Sequence, residues 1–191
     1  MTSISILGTG NMGQAIAKIA EKGGNTVQAL NSKDTDQAVT GDIVILAVPY
    51  PALKDILALR GDQLAGRTVV DITNPVNFQT FDSLTVPADS SAAAELAEAL
   101  PQSKVLKAFN TTLGPTLAIG QVGDQPTTVL IAGDDADAKT QLADVITAGG
   151  LNAIDAGSLN RARELEALGF LQITLAASEK VGWTGGFAVV K

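Results

Sequence analysis

Gly8, Gly10 and Gly13 stand in the run G-T-G-N-M-G, between a short apolar segment ending at Leu7 and a helical pattern opening at Met12. Glycines at this spacing have separate mechanical uses. The first permits a tight turn, the second lets the backbone approach a diphosphate, and the third lets the helix pack close to the strand. Free amides at the helix start then face the anion. The strand before, the helix after and a second strand at Thr26 to Leu30 satisfy the motif's structural condition, so it reads as a dinucleotide-binding loop. Discrimination between the two nicotinamide dinucleotides belongs to the end of that second strand, where an acid would bind the free 2′-hydroxyl of NAD. Asn31, Ser32 and Lys33 stand there instead. Two neutral donors followed by a cation suit a 2′-phosphate, and Thr9 offers a further hydroxyl, so NADP(H) is the expected cofactor. Asp34 and Asp36 weaken the local positive potential, and no arginine in that stretch can clamp a phosphate in bidentate fashion. The competing reading of these residues is an ordinary polar turn.

Other strand ends matter because ligands of an open parallel sheet sit beyond its carboxyl edge. Ala47, Val48, Pro49 and Tyr50 close the third strand, and Pro49 stops the ladder and bends the backbone over the expected crevice. Asp71, Ile72, Thr73, Asn74 and Pro75 close the next, and Asn110, Thr111 and Thr112 the one after. Their polar groups can orient a nicotinamide amide or ribose, or serve as caps and turns. The chain has no histidine and no cysteine, which removes the imidazole proton shuttle, the Ser-His-Asp triad, thiol nucleophiles and thiolate metal sites. No residue is singled out as catalytic, and no metal site is expected.

These residues must be positioned by a scaffold, and 191 residues suffice for one domain with a sizeable core. Strand-length apolar runs at Ser3 to Leu7, Thr26 to Leu30, Asp42 to Val48, Thr68 to Ile72, Lys104 to Ala108 and Thr127 to Ala132 alternate with helical segments. The helices are expected over Met12 to Lys22, Pro51 to Leu59, Ser91 to Leu100 and Asp135 to Ala148. This order predicts an α/β, Rossmann-type, doubly wound and mainly parallel sheet. Residues 1–157 read as the cofactor-binding unit, and 158–191 as a small helix-strand extension packed on it. Within the extension, Arg161 to Val181 is one long helical candidate carrying Leu165, Leu168, Leu171 and Leu175, with more apolar surface than one sheet contact requires. A homodimer interface or a helix buried in its own monomer would each use that surface. Gly182, Gly185 and Gly186 then surround Trp183 in a loop before a short strand at Phe187 to Val190. Trp183, the only tryptophan, is either a wall for a flat acceptor or a core anchor.

Thirteen basic side chains stand against twenty acidic ones, for a net charge of −7. With its cations scattered singly, the chain offers no field for nucleic acid or an anionic membrane surface. The opening apolar run lacks a basic flank and stops at Gly8, too short for a signal peptide or a membrane span. Cytoplasmic residence is expected, in agreement with the lack of cysteine.

The motifs together resemble the NADP oxidoreductases dependent on coenzyme F420, a deazaflavin, and the small dinucleotide-binding proteins related to them. The resemblance runs nearly end to end. It rests on G-T-G-N-M-G at 8–13, A-V-P-Y at 47–50, D-I-T-N-P at 71–75, K-A-F-N-T at 107–111, A-G-D-D at 132–135 and D-A-G-S-L-N-R-A-R-E-L-E at 155–166. The last two blocks are the specific ones. The ferric-reductase domain of membrane metalloreductases is similar as well. The resemblance implies that NADP lies across the sheet with a deazaflavin or flavin stacked against its nicotinamide, the small-molecule redox acceptor. By position, Thr9 to Met12 meet the diphosphate, and Asn31 and Ser32 the adenosine ribose phosphate. Val48 and Asn74 then lie along the nicotinamide half, with Gly114 nearby. Asn110, Trp183 and Gly185 are the candidates for the acceptor side. Hydride passes directly between stacked rings, so the chemistry needs no imidazole.

Two departures from the family stand out. A helix and a further strand usually lie between the second strand and the A-V-P turn, whereas only Lys33 to Gly41 separates them here. A shortened second crossover, with an open adenine side, is therefore expected. The family's arginine after the serine is also missing, with Ser32 in the matching place. Two other functions compete with the oxidoreductase. One is a non-catalytic NADP(H)-sensing module. The other is an imine reductase of the pyrroline-carboxylate type, which shares the G-x-G-N-M-G opening but needs a larger helical region than the residues after Asn160 provide.

Overall fold

The computed structural model describes residues 1–190; Lys191, the last residue of the expected extension, lies outside them. Ser3–Leu7 (β1) leads through the glycine run into Asn11–Lys22 (α1), and Thr26–Leu30 (β2) follows. The chain then crosses directly to Ile43–Leu46 (β3), without the helix and strand usual at this point. A 3-10 turn at Tyr50–Ala52 opens Leu53–Leu64 (α2), and Thr68–Asp71 (β4), Ala92–Ala99 (α3) and Lys104–Lys107 (β5) come next. After Gly114–Ile119 (α4), a small hairpin of Gln121–Val122 (β6) and Gln125–Pro126 (β7) leads into Thr128–Gly133 (β8). Ala136–Ala148 (α5), Asn152–Gly157 (β9), a 3-10 turn at Leu159–Arg161 and Ala162–Ala177 (α6) complete the fold.

Seven strands form one sheet in the order β2-β1-β3-β4-β5-β8-β9. The first five are parallel, β8 runs antiparallel to β5, and β9 is parallel to β8. This is a Rossmann-like, mainly parallel α/β fold. The order reverses at β1, which lies between β2 and β3, so the carboxyl ends of β1 and β3 flank the crevice where such sheets bind ligands. Ile4, Ile6, Ile43, Ile45 and Val70 face Ile16 and Ile19 of α1 and Leu142 and Ile146 of α5. On the opposite side Leu7, Val44, Leu46 and Val69 meet Leu53 and Leu64 of α2 and Ala93 and Leu96 of α3. Each such burial contributes roughly 1.5–3 kcal/mol, which fixes the strand ends on which the site depends. No helix among the described residues is long and apolar enough to cross a membrane.

Several expectations require correction. Phe187 to Val190 forms no strand. Before it, the tail coils onto α4, where the Thr116 hydroxyl reaches the carbonyls of Gly185 at 2.7 Å and Trp183 at 3.2 Å. The last helix stops at Ala177 rather than Val181, because Glu179 takes a left-handed φ of 60° and the amide of Lys180 turns back to Leu175 O. Its buried face carries Ala162, Leu165, Glu166, Gly169, Gln172 and Ala176, while Leu171 is exposed. Trp183 is 53% exposed and is not a core anchor.

Candidate active site

The glycine run folds as its spacing requires. Gly8 has φ 117°, and a Cβ there would lie 2.1 Å from the carbonyl oxygen of Ala47. At Gly13 a Cβ would lie 2.0 Å from Gly8 O, so the start of α1 touches the turn itself. Gly10 is different, since a Cβ there would meet nothing within 4 Å. It is the N-cap of α1 and supplies no side-chain cap, whereas α3 and α5 are capped by Ser91 and Asp135. The first turn of α1 also contains no acid. Together these leave unshielded amides beside an open backbone, a cradle for an anion. Gln14 steadies the cradle by donating from Nε2 to Thr9 O at 2.8 Å.

The crevice edge is tied together across strands. Gly8 N donates to Leu30 O and Ala47 N to Leu7 O, each at 2.8 Å, so the ends of β1, β2 and β3 are fixed in register. Val48 comes alongside Gly8, and Gly114 lies against Met12 and Asn11. Asn74 and Asn110 grip each other, with Asn74 Nδ2 donating to Asn110 O and Asn110 Nδ2 to Asn74 Oδ1, both at 2.9 Å. Asn110 Nδ2 also reaches Leu165 O of α6 at 2.8 Å. Gly169 allows that approach, because a Cβ there would sit 2.3 Å from Asn74 Oδ1. Pro75 is buried just beyond Asn74.

Tyr50 turns away from the other candidates. Its hydroxyl donates to Glu95 of α3 at 2.6 Å and, through burial and that carboxylate, is pushed up to about 12. It lines a cleft of about 290 Å³ with Pro51, Leu53, Leu57, Ala92 and Leu96. Pro49 remains exposed at the rim. Trp183 and Gly185 are held through Thr116 on α4, two residues beyond Gly114.

At the adenine side Asn31, Ser32 and Lys33 are exposed. Asn31 shapes their turn: its Oδ1 accepts from Lys33 N at 2.8 Å and its carbonyl from Asp34 N at 3.2 Å. The Asp34 carboxylate accepts from Asn31 N at 2.8 Å and Gln37 Nε2 at 3.0 Å within the turn. β2 is the sheet's edge strand and residues 31–38 after it are largely exposed, while hydrogen bonds from Arg60 and Arg67 hold the loop in place.

One cluster was missed by sequence reasoning. Lys107 Nζ is wholly buried between Asp71 Oδ2 at 2.8 Å and Glu166 Oε1 at 2.7 Å. Glu166 also accepts from the amides of Ala92 and Ala93 at the start of α3. Burial pushes the Glu166 carboxyl above its usual value, with Lys107 pulling against it. The cluster joins β4, β5, α3 and α6 directly beneath Thr73, Asn74 and Asn110. Each member belongs to a different one of the three sequence blocks D-I-T-N-P, K-A-F-N-T and D-A-G-S-L-N-R-A-R-E-L-E. Charged residues inside apolar strands were the available signal. Above them, Thr73 Oγ1 and Asn110 Oδ1 are buried without a protein partner, which suits a polar ligand group at the ends of β4 and β5. The anion cradle suits a diphosphate, and these polar atoms suit an amide or hydroxyl group beside it.

Comparison with known proteins identifies the family. Residues 18–75 match the family described as coenzyme F420-dependent NADP oxidoreductases. An F420-dependent NADP reductase of Methanocaldococcus jannaschii is 30% identical over 174 residues, spanning 88% of this chain and 77% of the relative. Metalloreductase STEAP3 of Rattus norvegicus is 34% identical over 133 residues, 70% of this chain and 26% of its own. A solved structure from an Arthrobacter species, provisionally called an F420-dependent NADP reductase, matches over 100% of both chains with a TM-score of 0.85 at 24% identity, a likeness of fold. The chain thus belongs to the F420-dependent NADP reductase family of oxidoreductases.

Proposed function

We propose that the protein binds NADP(H) and exchanges a hydride between the nicotinamide and a planar ring acceptor, coenzyme F420 or a flavin. The observation that carries this reading is the uncapped start of α1 beside Gly10, combined with a β2 end that presents Asn31, Ser32 and Lys33 and no acid. Thr9, Gly10, Asn11 and Met12 hold the diphosphate. Val48, Asn74 and Gly114 border the nicotinamide half, while Ala47 and Gly8 fix the turn between them. When bound, the nicotinamide supplies or takes the hydride; the protein's part is to hold it on the Asn74–Asn110 pair and to limit water around it. No group on the protein has to move a proton for the transfer between the rings.

The acceptor side lies toward Asn110, α6 and the tail carrying Trp183 and Gly185. Leu171, Trp183, Phe187 and Val190 are exposed apolar residues on that helix and tail, and the proposal includes a homodimer that covers them. Two measurements test the reading. Calorimetric titration should give tighter binding of NADPH than of NADH, and bound NADPH should turn over with F420 or FMN. Binding without turnover on either acceptor would favour a sensing module instead.

A further inference from the structure

We infer that Arg60 positions the loop that receives the 2′-phosphate and thereby sets the preference between the two nicotinamide cofactors. The inference rests on the NADP(H) reading above. Arg60 stands near the middle of α2, 27 positions beyond Lys33, and is only 3% exposed. Its guanidinium donates to Gln37 O at 2.6 Å and to Asp34 O, the two carbonyls that close the turn begun at Asn31. Neighbouring groups extend the grip. Gln63 Oε1 accepts from Val39 N at 2.8 Å, and Arg67 reaches Val39 O at 3.1 Å and Gly41 O. From the strands, Ser5 Oγ accepts from Gly41 N at 2.8 Å and Gln28 Nε2 donates to Ala38 O at 2.9 Å.

The missing crossover explains why an arginine is needed. A helix would pair the carbonyls of this connection internally, but this loop gives Asp34 O a long bond from Gln37 N at 3.3 Å and leaves Gln37 O to a side-chain donor. The planar fork of one guanidinium pairs two of them at once, which a single ammonium does not match. Arg60 also has no carboxylate within ion-pair distance among the described residues. The Asp34 carboxylate is instead taken up by Asn31 N and Gln37 Nε2. A nearly buried positive charge therefore lies behind the turn that displays Ser32 and Lys33, raising the potential where a phosphate dianion would rest. Holding the turn before the ligand arrives lowers the ordering cost of binding it. The arginine absent after the serine is thus replaced from behind by one on another element, acting through the loop rather than on the phosphate.

The test compares dissociation constants for NADPH and NADH in the wild type, Arg60→Met and Arg60→Lys, with melting temperature followed on the same samples. Arg60→Met should weaken NADPH by at least about tenfold while NADH changes by less than about threefold. Arg60→Lys, which keeps the charge but loses the planar fork that spans both carbonyls, should fall between. An equal loss for both cofactors would mean a purely structural residue and would overturn the inference, as would an unchanged ratio. If Arg60→Met fails to fold, the ratio in Arg60→Lys decides. A wild type without NADPH preference would overturn the cofactor reading itself, and the inference with it.

Discussion

Gly10 is the residue whose substitution separates binding from folding most cleanly. Its Cβ direction is empty, so Gly10→Val should keep a native circular dichroism spectrum while NADPH binding falls below calorimetric detection; normal binding would make the loop a mere turn. Lys107 gives the opposite result. Lys107→Met leaves Asp71 and Glu166 buried without their shared cation, and urea unfolding should show a loss of about 3–5 kcal/mol. A loss under about 1 kcal/mol would remove the cluster from the account of how α6 is held. The two residues also differ in legibility. The glycines are readable because their geometry is local. Lys107 is not, because its partner Asp71 is 36 residues away and only the fold brings them together. Arg60 is illegible for the same reason: the strand end is where a phosphate-binding arginine is expected, whereas Arg60 reaches the loop from α2.

Among elements, β1 and β2 match their expected bounds because compact apolar runs next to glycine and polar turns leave little choice of ends. α5 was equally plain, bracketed by aspartates and a pair of glycines. β9 was not, because Asn152–Gly157 is an edge strand with one β-branched residue, and α4 begins at Gly114-Pro115, a pair that reads as a turn. Nothing in the sequence of β8 distinguishes its antiparallel direction, which depends on the hairpin before it. The cap of α5 supplies a pH prediction. Asp135 is held below its usual carboxylate range by the Ala138 amide and by Lys104. A depressed carboxyl stabilises the fold above its unfolded value and loses that contribution as pH falls through the folded one, hence below about pH 4. Asp135→Asn keeps a capping oxygen but drops the ion pair, so it should lower stability modestly at pH 7, leave it nearly unchanged at acid pH, and thereby flatten this limb. An acid limb identical to that of the wild type would contradict the assignment.

For the whole molecule, the question is what the exposed end of the chain does. Light scattering should report a dimer, and Trp183→Ala should raise the KM for the acceptor with NADPH affinity nearly constant. A monodisperse monomer would remove the interface, and an unchanged KM would remove the wall. On the proposed NADP(H) reading of the β2 end, Ser32→Asp should turn the preference toward NADH by setting a carboxylate against the phosphate. The central claim is hydride exchange between a nicotinamide and a ring acceptor in a site without imidazole or thiol. It is tested most directly by an anaerobic single turnover with NADPH deuterated at the transferring carbon and F420 or FMN in excess, followed by mass spectrometry of the acceptor. The account predicts deuterium in the reduced F420, or, with FMN, NADPH oxidation matched by flavin reduction. Saturable NADPH binding with neither acceptor reduced would contradict it.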